Sequence, residues 1–124
     1  MSGIALIKSK RFAIRIVRVY DYLCKIKHEY VMSKQLLKCG TSIGANLAEA
    51  EYAISRNDFQ SKVYIALKEA SETLYWLELL KNTGYLTAEQ YASLRTDADD
   101  IHRILISSAK TLKSSSPDAR KNEL

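Results

Sequence analysis

Apolar residues recur at steps of three and four along most of this 124-residue chain, which is the spacing of amphipathic helices. Four such stretches are visible, separated by short polar breaks. The first predicts a helix from about Ser9 to Lys27, and the third predicts a helix from about Asp58 to Asn82. The second is expected to follow an N-cap at Ser33 and to end near "ISRND", and the fourth is expected to follow Thr87.

The ends of the predicted helices carry their own signals. Asn57 is the expected N-cap of the third helix, and Gly84 follows its end, where a left-handed residue closes many helices. The "TAEQ" segment at Thr87–Gln90 has the pattern of a capping box for the fourth helix. Residues 114–124 are polar, so we expect a disordered C-terminal tail after a single domain over residues 1–113.

Four long helices with short connections predict an all-α, antiparallel, up-down-up-down four-helix bundle. The first helix has a wide apolar face, because Ala13, Val17, Tyr20 and Cys24 flank its central stripe. At 100° per residue this face covers roughly 160°. A face of that width usually contacts more than one neighbour, which suits a helix that also packs outside its own bundle.

Composition narrows the class of protein. One proline and four glycines argue against a turn-rich all-β fold. The two cysteines, Cys24 and Cys39, have neither disulfide-type nor metal-type spacing and are interpreted as small, reduced core residues. The N-terminus shows no signal-peptide pattern, and no apolar run approaches the roughly 18 residues of a membrane span, so we expect a cytoplasmic protein with no membrane partner.

Positive charge is concentrated in the N-terminal third. Residues 1–38 carry nine Lys and Arg against two Asp and Glu, a net charge of +7, whereas the whole chain has a net charge of +5. Five cations share the polar side of the first helix: Lys8, Arg11, Arg15, Arg18 and Lys25. Such an arc can follow a phosphate backbone, and an ordinary solvated helix face is the alternative.

The segment "CGTSIGANLAEAE" contains Gly40 and Gly44 at a spacing of four. A phosphate-binding loop would need a preceding strand, a third glycine or a Gly-Lys-Ser/Thr ending, and none is present. Glycines one helical turn apart instead allow another backbone to approach closely. We therefore predict that both glycines are sites of close helix contact.

Polar residues form one arc on the second helix and another on the third. They include Ser42, Asn46, Glu49, Lys62, Glu69 and Trp76, with Glu72 at the edge. If these arcs face protein, the charges must be paired, because unpaired buried charge is costly. A solvated face with pairs at i and i+4 is the alternative. We predict that Asn46 and Glu49 hydrogen-bond within or between protomers, with Lys62 as a candidate partner.

No catalytic, metal or cofactor site is predicted. His28 falls in a predicted loop, and His102 lacks the Glu three residues earlier that bundle di-metal sites use. Neither cysteine has a base nearby in the sequence. We therefore expect a protein that is not an enzyme and needs no cofactor.

Three stretches, "TSIGANLAEA", "SRNDF" and "ALKEASETLYWLELL", resemble a known family. It comprises bacterial four-helix-bundle proteins encoded within intervening sequences of large-subunit ribosomal RNA genes, together with the accessory variability determinant of diversity-generating retroelements. The resemblance covers roughly residues 10–112. It implies a ring-like homopentamer with a basic surface, and the retroelement member binds nucleic acid and a reverse transcriptase.

The family pattern also implies roles for particular positions. Those that match are Ser42, Asn46, Glu49, Ser55, Phe59, Lys62, Lys68, Glu69, Glu72 and Trp76. We interpret them as fold and assembly positions. Ala50 stands where many rRNA-type members have glycine, which weakens the transfer of a role linked to rRNA.

Two functional hypotheses follow. The first is a non-enzymatic oligomeric module whose basic surface binds RNA, DNA or a nucleic-acid-processing partner such as a reverse transcriptase. The alternative is a purely structural or protein-binding scaffold without a nucleic-acid ligand.

Overall fold

Four helices form almost all of the computed structural model, which describes residues 2–114. They are α1 (Ser2–Lys25), α2 (Met32–Ala50), α3 (Arg56–Asn82) and α4 (Ala88–Ser114). No strand occurs between residues 2 and 114. The prediction of an all-α four-helix protein is confirmed, and the short links between successive helices give the up-down-up-down order.

The core lies along the inner stripes of all four helices. Its largest fully buried side chains include Phe12, Ile16, Leu36, Ile43, Leu77 and Ile101. Contact is extensive between successive helices in the chain and least extensive between α1 and α4. The bundle is therefore closed less tightly along its α1–α4 side.

Helix α1 begins at Ser2 and not near Ser9 as predicted. Ala5 and Leu6 are buried, so the first two turns pack onto the bundle and are held as helix. Ser9 lies inside the helix, fully buried, and its hydroxyl has no hydrogen-bond partner in the described structure. The predicted start near Ser9 is therefore wrong by about two turns.

Glu29 organises the turn between α1 and α2 through its backbone N–H and its carboxylate. His28 has a left-handed backbone (φ 55°), and the Glu29 N–H donates to the Leu23 carbonyl at 2.9 Å, which closes α1. The Glu29 carboxylate then accepts hydrogen bonds from the N–H groups of Val31, Met32 and Ser33 at 2.8–3.0 Å. The predicted Ser33 N-cap is therefore wrong, because Glu29 occupies the N-terminus of α2.

The residues that cap the other helix ends agree in part with those predicted from the sequence. The N-cap of α3 is Ser55, which accepts from the Asp58 N–H at 3.0 Å, and not Asn57. Gly84 has the predicted left-handed conformation (φ 85°). The capping box of α4 is confirmed, since the Thr87 N–H donates to Gln90 at 2.9 Å and the Gln90 N–H donates to Thr87 at 3.1 Å.

The two glycines of α2 face α1, as predicted. A Cβ at Gly40 would lie 2.9 Å from both Cγ1 and Cγ2 of Ile16, which is closer than carbon atoms pack. At Gly44 a Cβ would lie 3.4 Å from the Ser9 Cβ and 3.5 Å from its carbonyl carbon, an ordinary contact. Only Gly40 is therefore required by the space available.

Two further expectations concern the chain ends and the membrane. Of the predicted tail, residues 114–124, Ser114 is the last residue of α4 and the rest lies outside the described residues. Within residues 2–114, no helix combines the length and apolar character needed to cross a bilayer.

Alanine substitutions at the two glycines should have opposite effects. Gly→Ala in a helix gains about 1 kcal/mol of propensity, and overpacking costs about 1–3 kcal/mol. Gly40→Ala should therefore lower the free energy of unfolding, because β-branched Ile16 cannot move aside without shifting α1. Gly44→Ala should leave it unchanged or raise it. Urea denaturation of both variants measures the difference, and equal losses at the two positions would contradict this account.

Candidate nucleic-acid interface

The loosely closed side of the bundle forms a groove between α1 and α4. Four cations of the predicted basic arc line this groove in order along α1: Lys8, Arg11, Arg15 and Arg18. Residues at steps of three and four lie on one helix face, which explains their alignment. Lys25 lies away from the groove and pairs with Asp21 on its own helix at 3.2 Å.

Two of the groove cations bridge the helices. Lys8 forms an ion pair with Asp100 of α4. The Arg15 guanidinium donates to the Asp97 carboxylate at 2.7 Å, to the Ser93 hydroxyl at 2.9 Å and to the Ser93 carbonyl at 3.3 Å. These contacts join α1 to α4 where apolar packing between them is sparse, so Lys8 and Arg15 serve the fold.

The remaining two cations are unpaired. Neither Arg11 nor Arg18 forms an ion pair with any residue between positions 2 and 114. The sequence-predicted arc is thus not a uniform basic face. Its charge is partly neutralised by acids of α4 that lie more than 80 positions along the chain.

The groove contains two clefts of different character. The Lys8 cleft, of about 190 Å³, is lined by two cations, two carboxylates and two apolar side chains: Lys8, Arg11, Asp97, Asp100, Phe12 and Ile101. Its formal charges cancel. The signal that sequence reasoning missed is the "TDADD" segment of α4, which supplies both carboxylates.

The Arg18 cleft is larger, at about 260 Å³, and three of its lining residues are aliphatic. Val19 of α1, Leu86 before α4 and Leu94 of α4 supply the apolar surface, and Tyr22 and Gln90 add polar groups. Arg15 and Arg18 are its charged lining residues, and no carboxylate lines it. This part of the groove therefore carries net positive charge.

The polar arcs of α2 and α3 meet on another side of the bundle. Lys62 donates to Glu49 at 3.2 Å, so the predicted contact between these residues is present. Asn46 donates to the Ser42 carbonyl at 2.8 Å, and the Ser42 hydroxyl donates to the Lys38 carbonyl at 2.6 Å. Asn46 and Ser42 thus bond to their own helix, whereas the Lys62–Glu49 ion pair joins α2 to α3.

Burial changes the acid–base properties of this side. Burial and the neighbouring Glu72 raise the pKa of Glu69 above its usual value, although Lys68 and Lys38 oppose the change. Burial also raises the pKa of the Cys39 thiol to about 11, so this thiol is protonated at neutral pH and a poor nucleophile. Both cysteines are free thiols; Cys39 lies in the core as predicted, whereas Cys24 is only half-buried and is not a core residue.

Two of the family-pattern positions on α3 are aromatic. Phe59 and Trp76 are partly buried and pack against the core. The Trp76 indole N–H donates to the Glu72 carboxylate at 3.0 Å, one turn earlier on α3. These contacts are structural within one chain, and any role in assembly remains a prediction.

One nucleophile–base contact was missed from the sequence. The Ser71 hydroxyl and His102 Nε2 lie 3.0 Å apart across α3 and α4. Within the described chain no carboxylate bonds to the other ring nitrogen, which a Ser-His-Asp arrangement requires. No three His, Cys, Asp or Glu side chains of residues 2–114 come together as a ligand set. We assign no chemistry to this contact.

Comparison with known proteins decides the family. The sequence model of the 23S rRNA-intervening sequence proteins matches residues 4–107. The chain belongs to this family. The fold is similar to the crystal structure of a protein of unknown function from the S23 ribosomal protein family of Bacteroides thetaiotaomicron, with a TM-score of 0.86 and 54% identity. The match covers 88% of this chain and 97% of that one. A search of curated proteins found no match.

The two arginines of the Arg18 cleft should differ in their effect on the stability of this family member. Arg15→Gln removes the charged link to Asp97 and Ser93, and because both side chains are more than a third exposed, the loss should be only about 0.5–1 kcal/mol. Arg18→Gln should change the free energy of unfolding by less than about 0.5 kcal/mol.

A double-mutant cycle with Asp97→Asn separates the two cases. Coupling to Asp97 is expected for Arg15 and not for Arg18. Coupling of Arg18 to Asp97 of similar size would show that Arg18 is also a structural cation.

Proposed function

We propose that this protein is a non-enzymatic, oligomeric helical-bundle module whose basic groove binds RNA or DNA. The observation that carries the proposal is the pair of unpaired guanidinium groups, Arg11 and Arg18, in a groove whose other cations are already neutralised. Phosphate oxygens are the natural partners of such groups, because guanidinium presents several N–H donors in a planar fork.

The surface around the groove supports the same ligand. Outside the groove lining, Lys10 and Lys27 are exposed and unpaired among the described residues, and both lie within the segment of net charge +7. Anionic polymers are attracted by such a field, and the attraction weakens as salt screens it.

A protein that handles nucleic acid, such as a reverse transcriptase, is a second partner that we propose from the family resemblance. It would reach the same groove through a bound nucleic acid or through acidic side chains. A scaffold without a nucleic-acid ligand is the competing hypothesis, and the first experiment below separates the two.

Nucleic-acid affinity should depend steeply on salt and on two residues. We expect the double variant Arg11→Gln/Arg18→Gln to weaken binding of a short RNA and to make the plot of log K against log salt shallower by roughly 1.5, since each lost phosphate contact removes about 0.7–0.9 from the slope. Fluorescence anisotropy over a salt series measures both quantities.

The control variant also loses two positive charges, but at positions outside the groove. Arg103→Gln/Lys110→Gln removes two exposed cations of α4 that do not line the groove and should leave the slope nearly unchanged. Salt-independent binding would contradict the electrostatic proposal. No binding of RNA or DNA at low salt would favour the scaffold hypothesis.

We also propose that the module is a homo-oligomer, and a pentamer is what the family resemblance implies. The supporting observation is an exposed apolar row on the outer face of α1, opposite the core. Ile7, Ile14 and Val17 are 53%, 54% and 50% exposed. This row adds to the wide apolar face predicted for α1, and a second copy packed there would bury it.

Mass in solution tests the assembly. Light scattering should give a mass near five times the 14.1 kDa of the chain, and Ile14→Glu should lower it by placing a charge in the contact. The matched control is Ile54→Glu, because Ile54 is 94% exposed in the α2–α3 link. A monomeric wild-type protein would refute the assembly, and dissociation by the control alone would move the contact to that link.

A further inference from the structure

We propose that the Arg18 cleft is a nucleotide-binding site, which takes one unstacked base into its apolar floor and the attached phosphate onto Arg18. This inference rests on the proposed function and deepens it, because it assigns the ligand class as single-stranded nucleic acid. The cleft differs from the rest of the groove in three respects: its charge, its lining and its size.

Charge distinguishes the two clefts of the groove. The lining of the Lys8 cleft has equal numbers of cations and carboxylates, and its Lys8 is paired with Asp100, although Arg11 itself forms no ion pair in the described chain. In the Arg18 cleft the Arg15 guanidinium is held by Asp97 and Ser93 from outside the lining, and Arg18 remains without a counter-ion in the described chain. A single phosphate would satisfy this charge.

The lining suits a flat ring with polar edges. Val19, Leu86 and Leu94 contribute carbon surface from three positions around the floor. Tyr22 supplies an aromatic wall, and aromatic side chains are the usual platforms for unstacked bases. Nothing in the described chain bonds to the Tyr22 hydroxyl.

Gln90 supplies a polar edge in a fixed orientation. Its carbonyl oxygen accepts from the Thr87 N–H at 2.9 Å in the capping box, and this bond holds the side chain in place. The amide NH₂ therefore remains available to donate to an acceptor on a ligand, as base edges require. Gln90, which takes part in the capping box of α4, would thus also donate a hydrogen bond to the ligand.

Size favours one nucleotide over larger ligands. The cleft volume of about 260 Å³ lies just below the roughly 300–1,000 Å³ of sites that enclose drug-sized molecules. A base with its attached phosphate fits such a space. In a duplex the bases are paired and stacked, so only a single strand or a free nucleotide can enter.

The experiment compares three probes on the full-length protein. They are a fluorescent single-stranded RNA of about 12 nucleotides, within the range of known single-strand sites, the duplex of the same sequence, and free AMP as a competitor. Val19→Phe fills the cleft without changing charge. Tyr22→Leu removes the ring, and Arg18→Gln removes the phosphate partner.

Each matched control makes the same kind of substitution at an exposed position outside the cleft. Ala92→Phe adds a phenyl ring on the opposite face of α4 from Leu94, where residue 92 is exposed. Lys110→Gln removes one exposed positive charge from α4 outside the groove. Circular dichroism of every variant verifies that the helices are intact.

We expect the single strand to bind more tightly than the duplex. Val19→Phe and Tyr22→Leu should each weaken single-strand binding roughly fivefold or more, as loss of a stacked base does, and should leave duplex binding unchanged. Arg18→Gln should weaken the binding of both the single strand and the duplex. Both controls should behave as the wild type. AMP should compete only at high concentration if the strand is the ligand, and at low concentration if the free nucleotide is.

The failure of this inference can be distinguished from the failure of the proposed function. Equal, salt-dependent binding of single strand and duplex, with Val19→Phe and Tyr22→Leu unaffected, would overturn the cleft and keep the nucleic-acid module. Absence of binding to every strand would overturn the proposed function. Binding of AMP alone, lost in Val19→Phe, would then still support a nucleotide cleft.

Discussion

The close approach of α1 to α2 at Gly40 is the constraint on which the rest of the bundle depends. The Ile16 side chain lies where any side chain at position 40 would sit, so it packs directly against the backbone of α2. A helix that leans towards one neighbour is drawn away from the other, and contact between α1 and α4 is indeed the least extensive in the bundle. The groove exists because this packing is asymmetric.

Ion pairs link α1 to α4, the neighbouring helices that make the least contact. Lys8 and Arg15 extend from α1 to carboxylates of α4, and their ion pairs hold the groove at a defined width. Arg11 and Arg18, one turn after each of them, face the same groove without acidic partners. One helix face thus contains cations that maintain the fold and cations that remain available to a ligand.

The sequence predicts local features of this fold well. The capping box at Thr87, the left-handed Gly84 and the close contact at Gly40 all follow from patterns within a few residues, and all are present. The α1 start was wrong because burial of Ala5 and Leu6, and not a cap, extends the helix. The Ser33 cap was wrong because a longer side chain, Glu29, competes for the same N–H groups.

The candidate site was predictable only in part. Periodicity places the four groove cations on one helix face, but it gives no sign that Asp97 and Asp100 lie opposite two of them. Such pairing depends on how α4 is rotated in the bundle, which tertiary packing decides. For the same reason the Arg18 cleft, which joins α1, the link before α4 and α4 itself, has no signature in the linear sequence.

The turn at Glu29 has a consequence for the order in which the bundle assembles. It joins the end of α1 to the start of α2 within a few residues, so the entropy lost in closing this hairpin is small. The ion pairs between α1 and α4 join residues 82 and 92 positions apart, and contacts of such long range form late. We therefore expect the groove to close last as the chain folds. In the native protein, it is also the place where transient opening is easiest, which gives a ligand entry without unfolding the hairpin.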